Sequence, residues 1–174
     1  MGLRPRRLGF AIPTALAALL FATTTVLAAP PPPVEAVRGG GVVDGPLGLT
    51  SQLGFTASSR GGSFLCVMAG RSGAFAFGEW DKILQMQVQG RVTPGTLAIA
   101  GSWSRFEGIA TIHVIGVADG EVVAATLYDI GFTSTQGAGG AGVAWHILEL
   151  PDLGLSFGAP DGALMKSGQI TVWE

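Results

Sequence analysis

The sequence predicts a single all-β domain, either an antiparallel β-sandwich or a closed β-barrel, of about eight strands with Gly, Pro and Asp-Gly turns. Three observations carry that expectation. Hydrophobicity alternates residue by residue through most of the chain. Glycines, prolines and Asp-Gly pairs punctuate the alternating runs, and no segment sustains a helical period. A strand sends successive side chains to opposite faces, so a sheet with one wet face reads as an alternation. Short strands without helices bury their apolar faces by packing sheet on sheet or by closing one sheet on itself.

Residues 1–28 are expected to be a signal peptide. Arg4, Arg6 and Arg7 form a basic start, and an apolar stretch follows from Leu8 to Ala22, interrupted by Pro13. Val26-Leu27-Ala28 then offers small residues where a signal peptidase cleaves. The stretch is shorter than the ~20 apolar residues of a membrane span, with an uncleaved anchor as the alternative. Arg6-Arg7 raises the twin-arginine route, but the residues after the pair fit that pattern poorly, which leaves general secretion as the expectation. Residues 29–44 read as a Pro/Gly-rich spacer: "APPPP" favours an extended polyproline conformation and "VEAVRGGG" continues it. The all-β domain is expected over 45–174, with regular structure from Leu47.

Strands are expected near residues 47–58, 63–69, 83–93, 96–101, 105–118, 121–132, 141–150 and 168–173. In the first, Leu47, Leu49, Leu53, Phe55 and Ala57 share one parity. In the third, Leu84, Met86 and Val88 alternate with Gln85, Gln87 and Gln89. The strongest element is the pair of β-rich runs around Asp119-Gly120, a two-residue hairpin signal because both turn positions need positive φ. Walking outward from Ala118 opposite Glu121, Ile112 meets Leu127 and Val114 meets Ala125 on a core face. His113 meets Thr126 and Thr111 meets Tyr128 on the other face, a mixed surface patch. The same register puts Asp129 opposite Ala110, on the face away from His113. "GAFAFGEWDK" and "PDLGLSFGAPDGALMKS" read as loops.

Composition narrows the partners. With Arg4, Arg6 and Arg7 removed, seven basic residues face twelve acidic ones, and the charges are scattered. Nucleic acid and anionic membrane surfaces are poor partners for such a chain, and no later run is apolar enough to span a bilayer. The chain has no asparagine, hence no N-glycosylation acceptor. A domain of this size buries about 68–70% of its unfolded surface and needs no disulfide staple.

The residues that carry chemistry point away from catalysis. Cys66, the lone cysteine, shares a strand face with Phe64 and Met68 and reads as a small buried hydrophobe. The functional alternative is a reactive thiol near Arg71 or a disulfide between chains. "GAGGAG" at 137–142 matches a dinucleotide fingerprint, but "VAWHILEL" after it reads as a strand where that motif requires a helix. A zinc site takes about three to four protein ligands. His113 and His146 are the only histidines and lie far apart, and Glu149 falls on the opposite strand face from His146, so no metal or cofactor is expected. No Gly-x-Ser-x-Gly elbow is present, and a set of Ser102, His113 and Asp129 is one that any chain of this length allows. The four tryptophans, Trp80, Trp103, Trp145 and Trp173, read as core and rim packing, with a sugar or lipid site as the alternative; the third alternates with Val143 and Ile147 as a core residue would. Trp173 is out of phase with Ile170 and Val172 and is expected at the surface.

"GFTASSRGGSFLCVMAGRSG", "MQVQGRVTPGTLAIAG" and the closing "SGQITV" resemble a family of secreted bacterial β-domains of the post-COAP type, over roughly residues 45–173. The resemblance implies an all-β fold and an extracellular compartment, and brings no catalytic residue. "WHILELPDLGLSFG" is more apolar than that family's threonine-rich strands. Residues and resemblance together predict a secreted or envelope-associated, non-enzymatic structural or interaction module. Its partner would be an envelope or extracellular protein, and the surface patch offered for contact is His113, Thr126, Tyr128 and Trp173. The alternative is a carrier holding a small apolar ligand or lipid inside a barrel.

Overall fold

The alternating runs become strands, and the strands close on themselves. The computed structural model describes residues 35–44, 50–69 and 75–174. The expected signal peptide, the proline run, Leu47, Leu49 and Arg71 lie outside the described residues. The strands are β1 (Ala36–Asp44), β2 (Thr50–Ser58), β3 (Gly61–Ala69), β4 (Lys82–Val92), β5 (Ala98–Ala100), β6 (Trp103–Ala118), β7 (Glu121–Gly137), β8 (Gly139–Gly140), β9 (Trp145–Leu150), β10 (Leu155–Phe157) and β11 (Ala163–Trp173). All pairings are antiparallel, in the order β10-β9-β7-β6-β4-β3-β2-β1-β11-β8. A further pairing of β9 with β11, Ala163 to His146 and Leu164 to Trp145, closes eight of these strands into a ring. The sheet is therefore a barrel with one short seam.

The spacer expectation is corrected at its C-terminal end. Residues 36–44 form β1, which runs between β2 and β11 and pairs with both along its length. Gly39 and Gly41, which imitate a linker, are close-approach positions. A Cβ on Gly39 would meet the Phe55 ring at 2.7 Å and Ile170 at 2.8 Å. Val37 and Val43 supply the buried face. The loop expected at 151–167 is also corrected. It holds a 3₁₀ turn at Pro151–Leu153, then β10, and the first half of β11. Its glycines and prolines mark tight turns between short strands.

The hairpin register holds from Ala118–Glu121 back to Ile112–Leu127, with positive φ at both Asp119 (50°) and Gly120 (83°). Beyond that a bulge intervenes. Tyr128 and Asp129 together oppose Thr111, Asp129 takes a φ of 57°, and the ladder resumes at Ala110–Ile130. Asp129 is therefore exposed and does not reach the core face opposite Ala110. An extra residue flips the parity of everything after it, so Phe132, Ser134 and Gln136 point inward. A second bulge, between Ile83 and Gln85, makes Ile83 the buried neighbour of Met86 and Val88 in place of Leu84.

The inner wall is packed. Phe55, Phe64, Phe106 and Phe132 cluster with centroids 4.9–6.5 Å apart. Gly90 and Gly108 make the space for the largest of these contacts: a Cβ on either would come within 2.5 Å of the Phe132 ring. At another part of the core residues 75–81, from the stretch read as a loop, fold over. Phe77 and Trp80 stack at 5.7 Å, and the buried Trp80 indole occupies the space that a side chain on Gly116 would fill.

The glycine notch sets a testable cost. Gly90→Ala is expected to destabilise the barrel by about 1–3 kcal/mol through overpacking against Phe132, read as a lower urea midpoint. Adding Phe132→Leu to it should recover part of that loss, because the smaller side chain vacates the space. A midpoint unmoved by Gly90→Ala would show that the ring does not depend on the notch.

Candidate functional site

The two histidines each sit among polar side chains, His113 on the outer wall and His146 inside the barrel. On the outside, the bulge of β7 lifts Tyr128 and Asp129 beside the outward residues of β3, β4 and β6. The result is a groove of about 800 Å³, lined by Leu65, Gln87, Gln89, Arg91, Ile109 and His113, among others. Tyr128 is 69% exposed and Ile109 50%. His113 Nδ1 sits 3.1 Å from the Thr126 hydroxyl, which fixes the imidazole and leaves Nε2 for another partner.

The expected patch is thus assembled in part. His113, Thr126 and Tyr128 come together. Trp173 does not join them, because it lies on β11 opposite Ala36, with the Arg38 guanidinium 4.8 Å from its ring centroid. The expectation that His113 and Asp129 face opposite sides is overturned by the bulge, since both line the groove. Ser102 lines a different concavity, beside Gln169 and Glu174, so Ser102, His113 and Asp129 form no triad.

Inside the barrel, the parity shift of β7 produces a polar cluster that the alternation alone does not reveal. Ser134 Oγ donates to Gln136 Oε1 at 2.9 Å, and Gln136 Nε2 donates to Ser104 Oγ at 2.7 Å. His146 Nε2 lies 3.1 Å from Ser134 Oγ. The single hydroxyl proton of Ser134 is committed to Gln136, so the imidazole donates from Nε2 and Ser134 accepts. All of these side chains are buried, and His146 stacks against Phe64 at 5.9 Å and Phe55 at 6.4 Å. Trp145 was expected in the core. It lies instead on the outer face of β9, where it covers Gly137 and Gly162, and His146, Leu148 and Leu150 point inward. A run such as "WHILEL" is apolar on both parities, so its phase is decided by the neighbours.

Cys66 is buried on the face of Phe64 and Met68, as expected, and is a free thiol. Burial pushes its pKa up to about 12, opposed in part by a hydrogen bond with Ser51. Burial also pulls His146 down to about 4. The two flank a void of about 20 Å³, the size of a single water. Both groups are neutral at pH 7, the reverse of the thiolate–imidazolium pair that a cysteine nucleophile needs. "GAGGAG" closes β7, forms β8 and turns into β9, with no helix to receive a phosphate. Among the described residues no three His, Cys, Asp or Glu side chains gather as a metal site. No family model, curated protein or solved structure matches the chain.

Two outcomes follow from the interior. A histidine whose folded pKa is depressed leaves the unfolded chain holding more protons, so stability falls as pH drops below the ordinary value of 6.5 towards 4. The loss should be about 2 kcal/mol between pH 7 and pH 5, measured by urea unfolding. His146→Leu should flatten that slope, and a wild-type midpoint equal at both pH values would contradict it. Cys66, for its part, should resist Ellman's reagent at pH 8 in the native protein and react fully in denaturant. Prompt native labelling would place the thiol at the surface.

Proposed function

We propose that this chain is a non-enzymatic binding module, secreted or held at the cell envelope, that meets its partner through the outer-wall groove of β3, β4, β6 and β7. The observation that carries this reading is where the free space lies. Phenylalanine, methionine and branched side chains fill the interior, the void beside Cys66 is about 20 Å³, and the outer groove is about 800 Å³. That outer volume, like the about 600 Å³ beside Ser102, falls within the about 300–1,000 Å³ of ordinary ligand sites, and the groove is preferred because it gathers His113, Arg91 and the exposed Tyr128. The packed interior argues against the carrier reading. The neutral Cys66–His146 neighbourhood and the separation of Ser102 from His113 argue against hydrolysis. The resemblance to secreted post-COAP-type β-domains and the N-terminal pattern of residues 1–28 support the compartment.

The reading is tested by sedimenting the mature protein with insoluble cell-envelope material from its own host. Wild type is expected in the pellet. Tyr128→Ala and Arg91→Ala, both surface changes, should each lower the affinity about tenfold or more, the range of an interface hot spot. Equal retention of the variants would remove the groove from the function. Apolar material that co-purifies and leaves only on denaturation, detected by native mass spectrometry, would move the assignment to a carrier.

A further inference from the structure

The groove's chemistry narrows the partner class, an argument that rests on the groove being the binding surface. Its side chains form a lattice set by strand pairing. Leu65 sits opposite Gln89, and Gln89 opposite Thr111. Ser63 faces Arg91, which faces Ile109, and Gln87 faces His113. Neighbouring strands are about 4.8 Å apart and same-face residues along a strand about 6.8 Å, so hydrogen-bonding heads recur at regular intervals across the floor. Amides donate and accept at once, as does a hydroxyl, and here two glutamines follow each other on one strand face. One cation, Arg91, and one anion, Asp129, leave the lining without net charge of either sign. Leu65 and Ile109 are separated by Gln89 and Arg91, so polar heads interrupt the apolar surface that a lipid chain or the apolar face of a helix would need. The strands of the groove floor, β3, β4 and the Gly108–Val117 part of β6, are each paired on both sides and offer no edge for an added peptide strand. At the rim, the bulge holds Tyr128 out as a broad aromatic face.

A flat aromatic beside amide, guanidinium and imidazole donors, with one carboxylate to balance the guanidinium, matches one chemistry: rings that carry a C–H face and a fringe of hydroxyls. We infer that the groove binds a neutral oligosaccharide, with Tyr128 stacked on a sugar ring and Gln87, Gln89, Arg91 and His113 bonding its hydroxyls. An aromatic plane supplies apolar contact at little entropic cost, and the polar lattice supplies orientation. Charged glycans are disfavoured because Arg91 and Asp129 offset each other.

The test is a nuclear magnetic resonance titration of the mature protein with neutral hexasaccharides: cello-, xylo-, manno-, malto- and laminarihexaose. At least one is expected to shift the side-chain amide signals of Gln87 and Gln89 together with the backbone amides of Thr111 and Tyr128. Binding should weaken at least tenfold in Tyr128→Ala and in Gln89→Ala, and persist in Tyr128→Phe, which keeps the ring. Far-ultraviolet circular dichroism and thermal unfolding of the variants should match wild type. If no sugar shifts these signals while Tyr128→Ala still releases the protein from envelope material, the sugar assignment is overturned and the groove reading stands. If envelope retention also ignores Tyr128, both are overturned. Displacement of a bound sugar's shifts by added sodium chloride would equally overturn it, since a neutral ligand should be insensitive to salt.

Discussion

The packing of Phe55, Phe64, Phe106 and Phe132 across the barrel interior is the constraint on which the rest of the structure depends. A ring of eight strands encloses space that side chains just fill, and here four rings take the middle of it. Their bulk forces small residues elsewhere on the same wall. Gly90 and Gly108 lie under Phe132, and Gly39 lies against Phe55. The abundance of glycine in the composition is therefore in part a record of where aromatic rings had to go, and only in part a record of turns. A filled interior leaves a barrel only its wall or its ends on which to meet a ligand.

The buried cluster of Ser104, Ser134, Gln136 and His146 is best understood against that apolar interior. Each member has a partner among the others. Satisfied in this way, a polar network adds little net stability but penalises any register in which its partners are misplaced. β7 is a long strand with a bulge in its middle, and one-residue slippage would carry Ser134 and Gln136 to the outside. The cluster on its inner face ties the strand to β6 and β9 in one register. The depressed histidine is the thermodynamic sign of the same arrangement, since the cavity that accepts a neutral imidazole has nothing to offer a charged one.

Much of this fold can be read from alternation and turn chemistry. The Asp119-Gly120 hairpin and its first pairs, the inward set of β2 and the burial of Cys66 all follow from period and from the positive-φ preference of the turn. What fails to show is of two physical kinds. First, "RGGGVV" has the composition of a linker, and only the tertiary contacts of Gly39 with Phe55 and Ile170 reveal it as a strand. Second, bulges are silent in a hydropathy pattern. The extra residue at Tyr128–Asp129 moves Asp129 into the groove and turns Ser134 and Gln136 inward, and Leu84 is displaced from the core in the same way. The candidate site was legible as a His113–Thr126–Tyr128 cross-strand cluster. Its glutamines and Arg91 were visible as the polar parity of β4, but Leu65 and Ile109 join them through strand order and Asp129 through a bulge.

The pairing of β1 with β11 has a kinetic meaning. Ala36 pairs with Trp173, so the first and last strands of the ring are neighbours. Of the pairings around the ring, this one joins the residues most distant in sequence, and the loop it closes spans nearly all of the described domain. Contacts of such sequence separation slow the search for the native state, and loop-closure entropy is spent before the last pairing returns anything. A nascent chain emerging from the ribosome cannot complete this barrel until its C-terminal strand is free. Until then β2 and the strands after it expose pairing edges, and the chain is open to capture by any factor that holds unfolded polypeptide.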